Sequence, residues 1–171
     1  MTFSLMAIPA ELLQQQAAGE IIKCNDYTYQ YGLTLTRAQA LSLIETRSYA
    51  LRATGRIEFG GGIIEKFIRA FCDSPFLSAH NYAETLNELI EVFYYFKNET
   101  ENLIKDDDLI DDIKKAFNGF CQGSVELLFK LNMQMTKSEN LNFDYNLDFT
   151  EGDNKDGKYG DYEEDDEDEQ Y

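Results

Sequence analysis

Apolar residues recur at spacings of three and four through most of the chain and stop doing so after Thr136. Pro9 suits the first turn of a helix, and Leu12, Leu13, Gln16, Ala17, Glu20 and Ile21 follow at helical spacing, which predicts a helix over 9–23 in spite of Gly19. Beyond Asn25 and Asp26, Tyr27, Tyr29 and Tyr31 alternate with Thr28 and Gln30, the period of a half-buried strand. Thr36 is a good N-cap for a helix with Ala40, Leu41, Ile44, Ser48 and Leu51 on one face and Gly55 as its left-handed stop. Arg56-Ile57-Glu58-Phe59 is too short for a helix and offers residues 27–31 a partner for a minimal two-stranded ribbon.

Gly60-Gly61-Gly62 opens a helix whose Ile63, Ile64, Phe67, Ile68 and Phe71 form a wide apolar stripe. Asp73-Ser74-Pro75 ends it, because the residue before a proline resists helical dihedrals. A long helix is predicted from His80 or Asn81 to Glu101, with Tyr82, Leu86, Leu89, Ile90, Phe93, Tyr94 and Lys97 inward and Glu84, Glu88, Glu91 and Asn98 outward. Its aromatic density makes it the expected centre of the fold. Asp106-Asp107-Asp108 supplies an N-cap and first-turn negative charge to a helix carrying Leu109, Ile110, Ile113, Ala116 and Phe117, which Asn118-Gly119 ends. A last helix, from Gly123 or Ser124 to about Met133, presents Val125, Leu128 and Leu131. No internal repeat is visible. The pattern predicts a mainly α, single helical domain of five or six helices over residues 1–138, with at most a short two-stranded β element, followed by a disordered acidic tail over 139–171.

Charge supports that division. Residues 151–171 hold eleven carboxylates against Lys155 and Lys158, so they carry −9 of the formal −17. A block of like charge with few branched aliphatics buries too little surface to offset its ordering entropy. Residues 1–150 still keep −8, a surface that repels phosphate backbones and anionic leaflets and favours a basic protein partner. Neither direct nucleic-acid binding nor membrane binding is expected. Cys24, Cys72 and Cys121 are far apart with no Cys-x-x-Cys pair, which suits free thiols in a reduced, cytoplasmic setting. The apolar opening of the chain lacks a basic n-region and is shorter than a membrane span, so neither a signal peptide nor a transmembrane helix is expected.

Little in the sequence has the composition of a catalytic centre. The most suggestive stretch is Arg56-Ile-Glu-Phe-Gly60-Gly61-Gly62, a short extended run entering a helix through glycines. Backbone amides of Gly60, Gly61 and Gly62 at such a helix start hold an anion well, and Arg56 adds a charge. The stretch lacks the lysine and hydroxyl ending of a phosphate loop, and the plainer role of the glycines is a tight turn. His80 is the only histidine; Cys72 is close to it in sequence, but a small buried hydrophobe is the commoner role of a cysteine. His80 is read as helping to cap the long helix. Glu84, Glu88 and Glu91, like Asp108, Asp111 and Asp112, recur at helical spacing without the Glu-x-x-His motifs of a di-metal bundle, so a solvated face is expected and no metal or cofactor is predicted. The run from Gly152 to Glu163 imitates a calcium loop but has glycine where the first ligand belongs. Tyr95 falls off the main apolar stripe of the long helix and is the residue marked for an interface.

Tyr31-Gly-Leu-Thr-Leu-Thr36, Gly55-Arg-Ile-Glu-Phe-Gly60, Phe71-Cys-Asp-Ser-Pro75, Phe93-Tyr-Tyr-Phe-Lys-Asn-Glu99 and Cys121-Gln-Gly-Ser124 cover the chain from Tyr31 to about Leu128. In these stretches it resembles a bacterial family of small helical proteins known only as a domain of unknown function. The resemblance implies a bacterial cytosolic protein and brings no activity, cofactor or catalytic residue with it; the acidic tail lies outside it.

The functional expectation is therefore a non-enzymatic interaction or regulatory protein that binds a basic partner. Two alternatives stay open: a nucleic-acid mimic that blocks a nucleic-acid-binding protein, and a small anion-binding protein or enzyme using the Arg56 to Gly62 turn. A homo-oligomer is compatible with all three.

Overall fold

In a computed structural model, residues 9–135 are described, the side chains of 132–135 excepted. They form six long helices and one short helical turn: α1 (Ala10–Lys23), α2 (Asn25–Thr28, continued by a 3-10 turn over Tyr29–Tyr31), α3 (Arg37–Arg52), α4 (Gly62–Phe71), α5 (Tyr82–Glu99), α6 (Asp106–Asn118) and α7 (Val125–Met135). The fold is mainly α, and among the described residues there is no strand. The predicted acidic tail lies outside them.

The expected strand over 27–31 is corrected to helix. Asn25 explains why: its side chain donates to the Leu35 carbonyl and accepts from the Leu35 amide, both at 2.8 Å. Thr28, fully buried, donates to the Leu33 carbonyl at 2.7 Å. These bonds fold 25–35 back on itself through Gly32, whose φ of 72° only glycine adopts freely. The chain order of tyrosines hid a compact turn. Residues 56–59, robbed of their expected partner, form no ribbon.

Elsewhere the periodicity marks the helices well. Thr36 caps α3 through a full capping box, its hydroxyl accepting from the Gln39 amide while the Gln39 side chain accepts from the Thr36 amide. The buried face of α3 is Ala40, Leu43, Ile44, Arg47 and Leu51, rotated from the predicted one, so that Leu41 and Ser48 sit at its margin. In α1, Ala17, Ala18 and Ile21 are buried whereas Leu12 and Leu13 are exposed. The N-cap of α6 is Lys105, and Asp106, Asp107 and Asp108 form its first turn, where negative charge meets the positive end of the helix dipole. Asn81, rather than His80, takes the N-cap position of α5.

α5 is the central element, packed against α3, α4, α6 and α7. Every residue predicted for its inner side is buried, including Lys97. The core is heavily aromatic: Phe67 stacks on Phe71 with centroids 5.5 Å apart and meets Phe93 edge to face at 5.5 Å, while Phe117 meets Phe71 at 5.6 Å. Buried Lys97 pairs with Asp106 at 2.6 Å and donates to the Ile104 carbonyl at 2.5 Å, fixing the end of α5 to the start of α6. These contacts leave α5 with one open side, between α3 and α7.

Candidate functional site

Two surfaces hold the residues singled out from the sequence. The first is the turn into α4. Gly60 and Gly62 take left-handed φ values of 64° and 46°, so the turn suits glycine at both positions. The Gly61 amide donates to Glu20 Oε2 at 2.8 Å, so the anion at this amide is the chain's own. Arg47, with 4% of its surface exposed, donates from Nη1 to the carbonyls of Gly60 at 2.7 Å and Gly61 at 3.3 Å. Arg56 instead reaches outward to Asn102 Oδ1 at 2.5 Å, and Glu58 turns inward to accept from the Tyr94 hydroxyl at 2.7 Å. Burial, then the Glu58 carboxylate, hold the Tyr94 phenol well above its ordinary value.

The structure thus divides the predicted anion site. Gly60 and Gly61 face Glu20 and Arg47, whereas Arg56 and Gly62 line a separate hollow of about 350 Å³ with Ile57, Phe59, Ile63 and Lys66. Lys66 in that hollow pairs with Asp107 at 2.7 Å. Arg47 and Glu20, which do most to shape the turn, lie far from it in sequence; the one signal of Arg47 is its helical spacing among Ala40, Ile44 and Leu51.

The second surface is the open side of α5. Glu84, Glu88, Glu91, Tyr95 and Asn98 follow at i, i+4, i+7, i+11 and i+14, a single stripe. The three glutamates are exposed, and among the described residues none pairs with a lysine or arginine. Burial first, then Glu84 and Glu91, push the Glu88 carboxyl up. Tyr95 continues the stripe half-buried, its ring 6.2 Å from that of Phe129 on α7. Thr46 of α3 donates to Asn87 of α5 at 2.7 Å and closes the opposite margin.

The remaining candidates separate. Cys72 is buried with Sγ donating to the Arg69 carbonyl at 3.2 Å, while His80 is exposed. All three cysteines are free and buried, and burial raises the thiols of Cys24 and Cys121. Asp108 and Asp111 are exposed, and Asp112 lies 3.6 Å from Lys115. Among the described residues no group of histidine, cysteine and carboxylate side chains is placed to hold a metal ion, and no helix is long and apolar enough to cross a membrane.

Residues 20–146, from the carboxylate that holds the turn to a point beyond α7, match a family described as a family of unknown function, DUF6323. The chain belongs to that family. No curated protein and no solved structure matches it. What this DUF6323 member does must therefore be argued from its surfaces.

Proposed function

We propose that the chain is a non-enzymatic interaction protein that binds a basic protein partner through the acidic outer stripe of α5. The observation that carries this reading is the row Glu84, Glu88 and Glu91, whose charges have no cation within ion-pair distance among the described residues, beside the half-buried ring of Tyr95. Four lysines outside α5, Lys66, Lys114, Lys115 and Lys130, pair with a neighbouring carboxylate, whereas this row offers an incoming lysine or arginine three unanswered charges along one helix face. Residues 9–135 hold eighteen carboxylates and twelve lysines and arginines, a net of −6, and the segment 151–171 adds −9 that steers a basic partner at long range. Free, buried thiols support a reducing, cytoplasmic setting.

Capture of partners on the immobilised chain at low and high salt tests the reading. Binding that weakens with salt and falls when Glu84, Glu88 and Glu91 become glutamine supports it; a partner set indifferent to both changes sinks it. Competition by a short DNA duplex separates a nucleic-acid mimic, which shares its partner with the duplex, from a partner bound on other grounds.

A further inference from the structure

The end of α1 and the start of α2 run alongside α4. Glu20 accepts from the Gly61 amide at the start of α4, Cys24 lies beside Glu65 and Arg69, and Tyr27 reaches Cys72 just past its end. Between the two segments is a hollow of about 260 Å³, open to solvent on one side, with buried Cys24 and exposed Tyr27 among its walls. Its volume suits a small molecule. Five charged side chains line it, Glu20, Asp26 and Glu65 against Lys23 and Arg69.

Opposite charges in this hollow stand at spacings that normally join them. Glu20 and Lys23 are three apart on α1, and Glu65 and Arg69 four apart on α4, yet among the described residues none of the five charged groups is in an ion pair. The turn into α4 explains the separation. Glu20 has swung to the Gly61 amide at 2.8 Å, and Glu65 lies back over the Cα of Gly61, where a Cβ would collide with its carboxylate. A Cβ on Gly60 would likewise come within 2.6 Å of Glu20 Oε2. The two glycines therefore admit both carboxylates at one end of the hollow, and Lys23 and Arg69 follow about one helical turn further on. Burial, then Glu65, raise the Cys24 thiol while Arg69 lowers it, as expected of a group lying beside both. Like charge gathered at one end, with its opposite held away, is relieved by a ligand that carries both signs.

We propose that this hollow binds a free α-amino acid, its ammonium between Glu20 and Glu65 and its carboxylate on Arg69 and Lys23. A zwitterion fits the division of charge. A diamine would set a cation against Lys23 and Arg69, and a carboxylate alone would leave Glu20 and Glu65 unanswered. The Tyr27 ring and the open mouth of the hollow are left to the amino acid's side chain. The site stands independently of the α5 stripe. It also differs from an anion site at the glycines, because what the ligand meets at Gly61 is a carboxylate already bound to the amide.

Backbone amide NMR spectra of the full chain, recorded while each common α-amino acid is titrated in at neutral pH, test it. At least one should shift the Cys24 and Arg69 resonances with half-saturation at or below about 1 mM, an affinity that a few charge-assisted bonds supply. The methyl ester of that amino acid lacks the carboxylate, and the matching acid without the amino group lacks the ammonium. Each should bind at least about tenfold more weakly. Glu65→Gln, Arg69→Gln and Gly61→Ala should each weaken binding by at least about tenfold while the α5 resonances stay in place. Glu65 is half-buried and Arg69 exposed, so the two glutamine variants keep the fold. No shift with any amino acid overturns the proposal. So does an ester or acid that binds as tightly as the amino acid, or binding that survives both glutamine substitutions.

Discussion

Arg47 Nη1 lies 2.7 Å from the Gly60 carbonyl oxygen, within the buried face of α3. A guanidinium so placed costs desolvation, which its bonds to Gly60 and Gly61 offset by fixing the turn that starts α4. Arg47→Met should lower stability by about 2–3 kcal/mol, since it strips the half-buried Gly60 and buried Gly61 carbonyls of a charged donor. The urea midpoint reads the loss. A change within a few tenths of a kcal/mol would show that water or a neighbour replaces the arginine.

Two buried tyrosines should respond oppositely to loss of their hydroxyls. Tyr94 donates to Glu58, so Tyr94→Phe should cost about 1–2 kcal/mol. The hydroxyl of Tyr82 has no hydrogen-bond partner among the described residues; neighbouring Thr28 already gives its proton to the Leu33 carbonyl. Tyr82→Phe should therefore be neutral or stabilising, by up to about 1 kcal/mol. Parallel thermal denaturation at neutral pH checks the contrast.

The same tyrosines contribute to the alkaline limit, together with the buried thiols of Cys24 and Cys121. Burial raises both phenols, so above about pH 10 the unfolded chain releases protons that the folded chain retains, and stability falls as pH rises. Each phenylalanine variant should flatten that fall, as unfolding midpoints between pH 8 and about pH 11 would show. An alkaline slope that neither substitution changes would place the titrating group elsewhere.

How much of this was legible depended on whether a neighbour in sequence or in space decided the outcome. Thr36 sits next to the helix it caps, and the buried side of α5 follows from spacing alone, so both could be read directly. The tyrosines at 27, 29 and 31 could not, because the bonds between Asn25 and Leu35 that curl the segment cross ten residues. Three consecutive glycines mark the turn in the sequence, but its chemistry is not local: Glu20 and Arg47 come from two other helices. Tyr95 lies off the apolar stripe by spacing alone, and in the structure it continues the stripe of Glu84, Glu88 and Glu91.

Breaking the ion pair at the end of α5 should be costly in spite of its partial exposure. Asp106→Asn leaves buried Lys97 with the Ile104 carbonyl and the Phe93 ring, whose centroid lies 5.9 Å from Nζ. Because Asp106 is about one-third exposed, the expected loss is about 2 kcal/mol rather than the 3–5 of a fully buried pair. Chemical denaturation of Asp106→Asn beside Asp107→Asn, whose partner Lys66 is exposed, measures it; the second variant should lose under about 1 kcal/mol.

Like charge along the outer stripe of α5 carries a small cost in stability. Glu88→Gln removes repulsion from Glu84 and Glu91, so it should stabilise the free protein at neutral pH by about 0.2–0.5 kcal/mol. The folded-state carboxyl is raised, so its charged form is the unfavourable one, and the gain should shrink as pH falls through the carboxylate range. Thermal midpoints at pH 7 and pH 4 would detect this.

The central claim rests on partner capture by the chain with Glu84, Glu88 and Glu91 all replaced by glutamine, compared with the unaltered chain at about 0.05 M and 0.5 M salt. The account predicts a basic partner held by the unaltered chain at low salt, weakened at high salt, and lost or reduced at least about tenfold by the triple substitution while the fold is retained. The same partners held equally by both chains at both salt concentrations would contradict it.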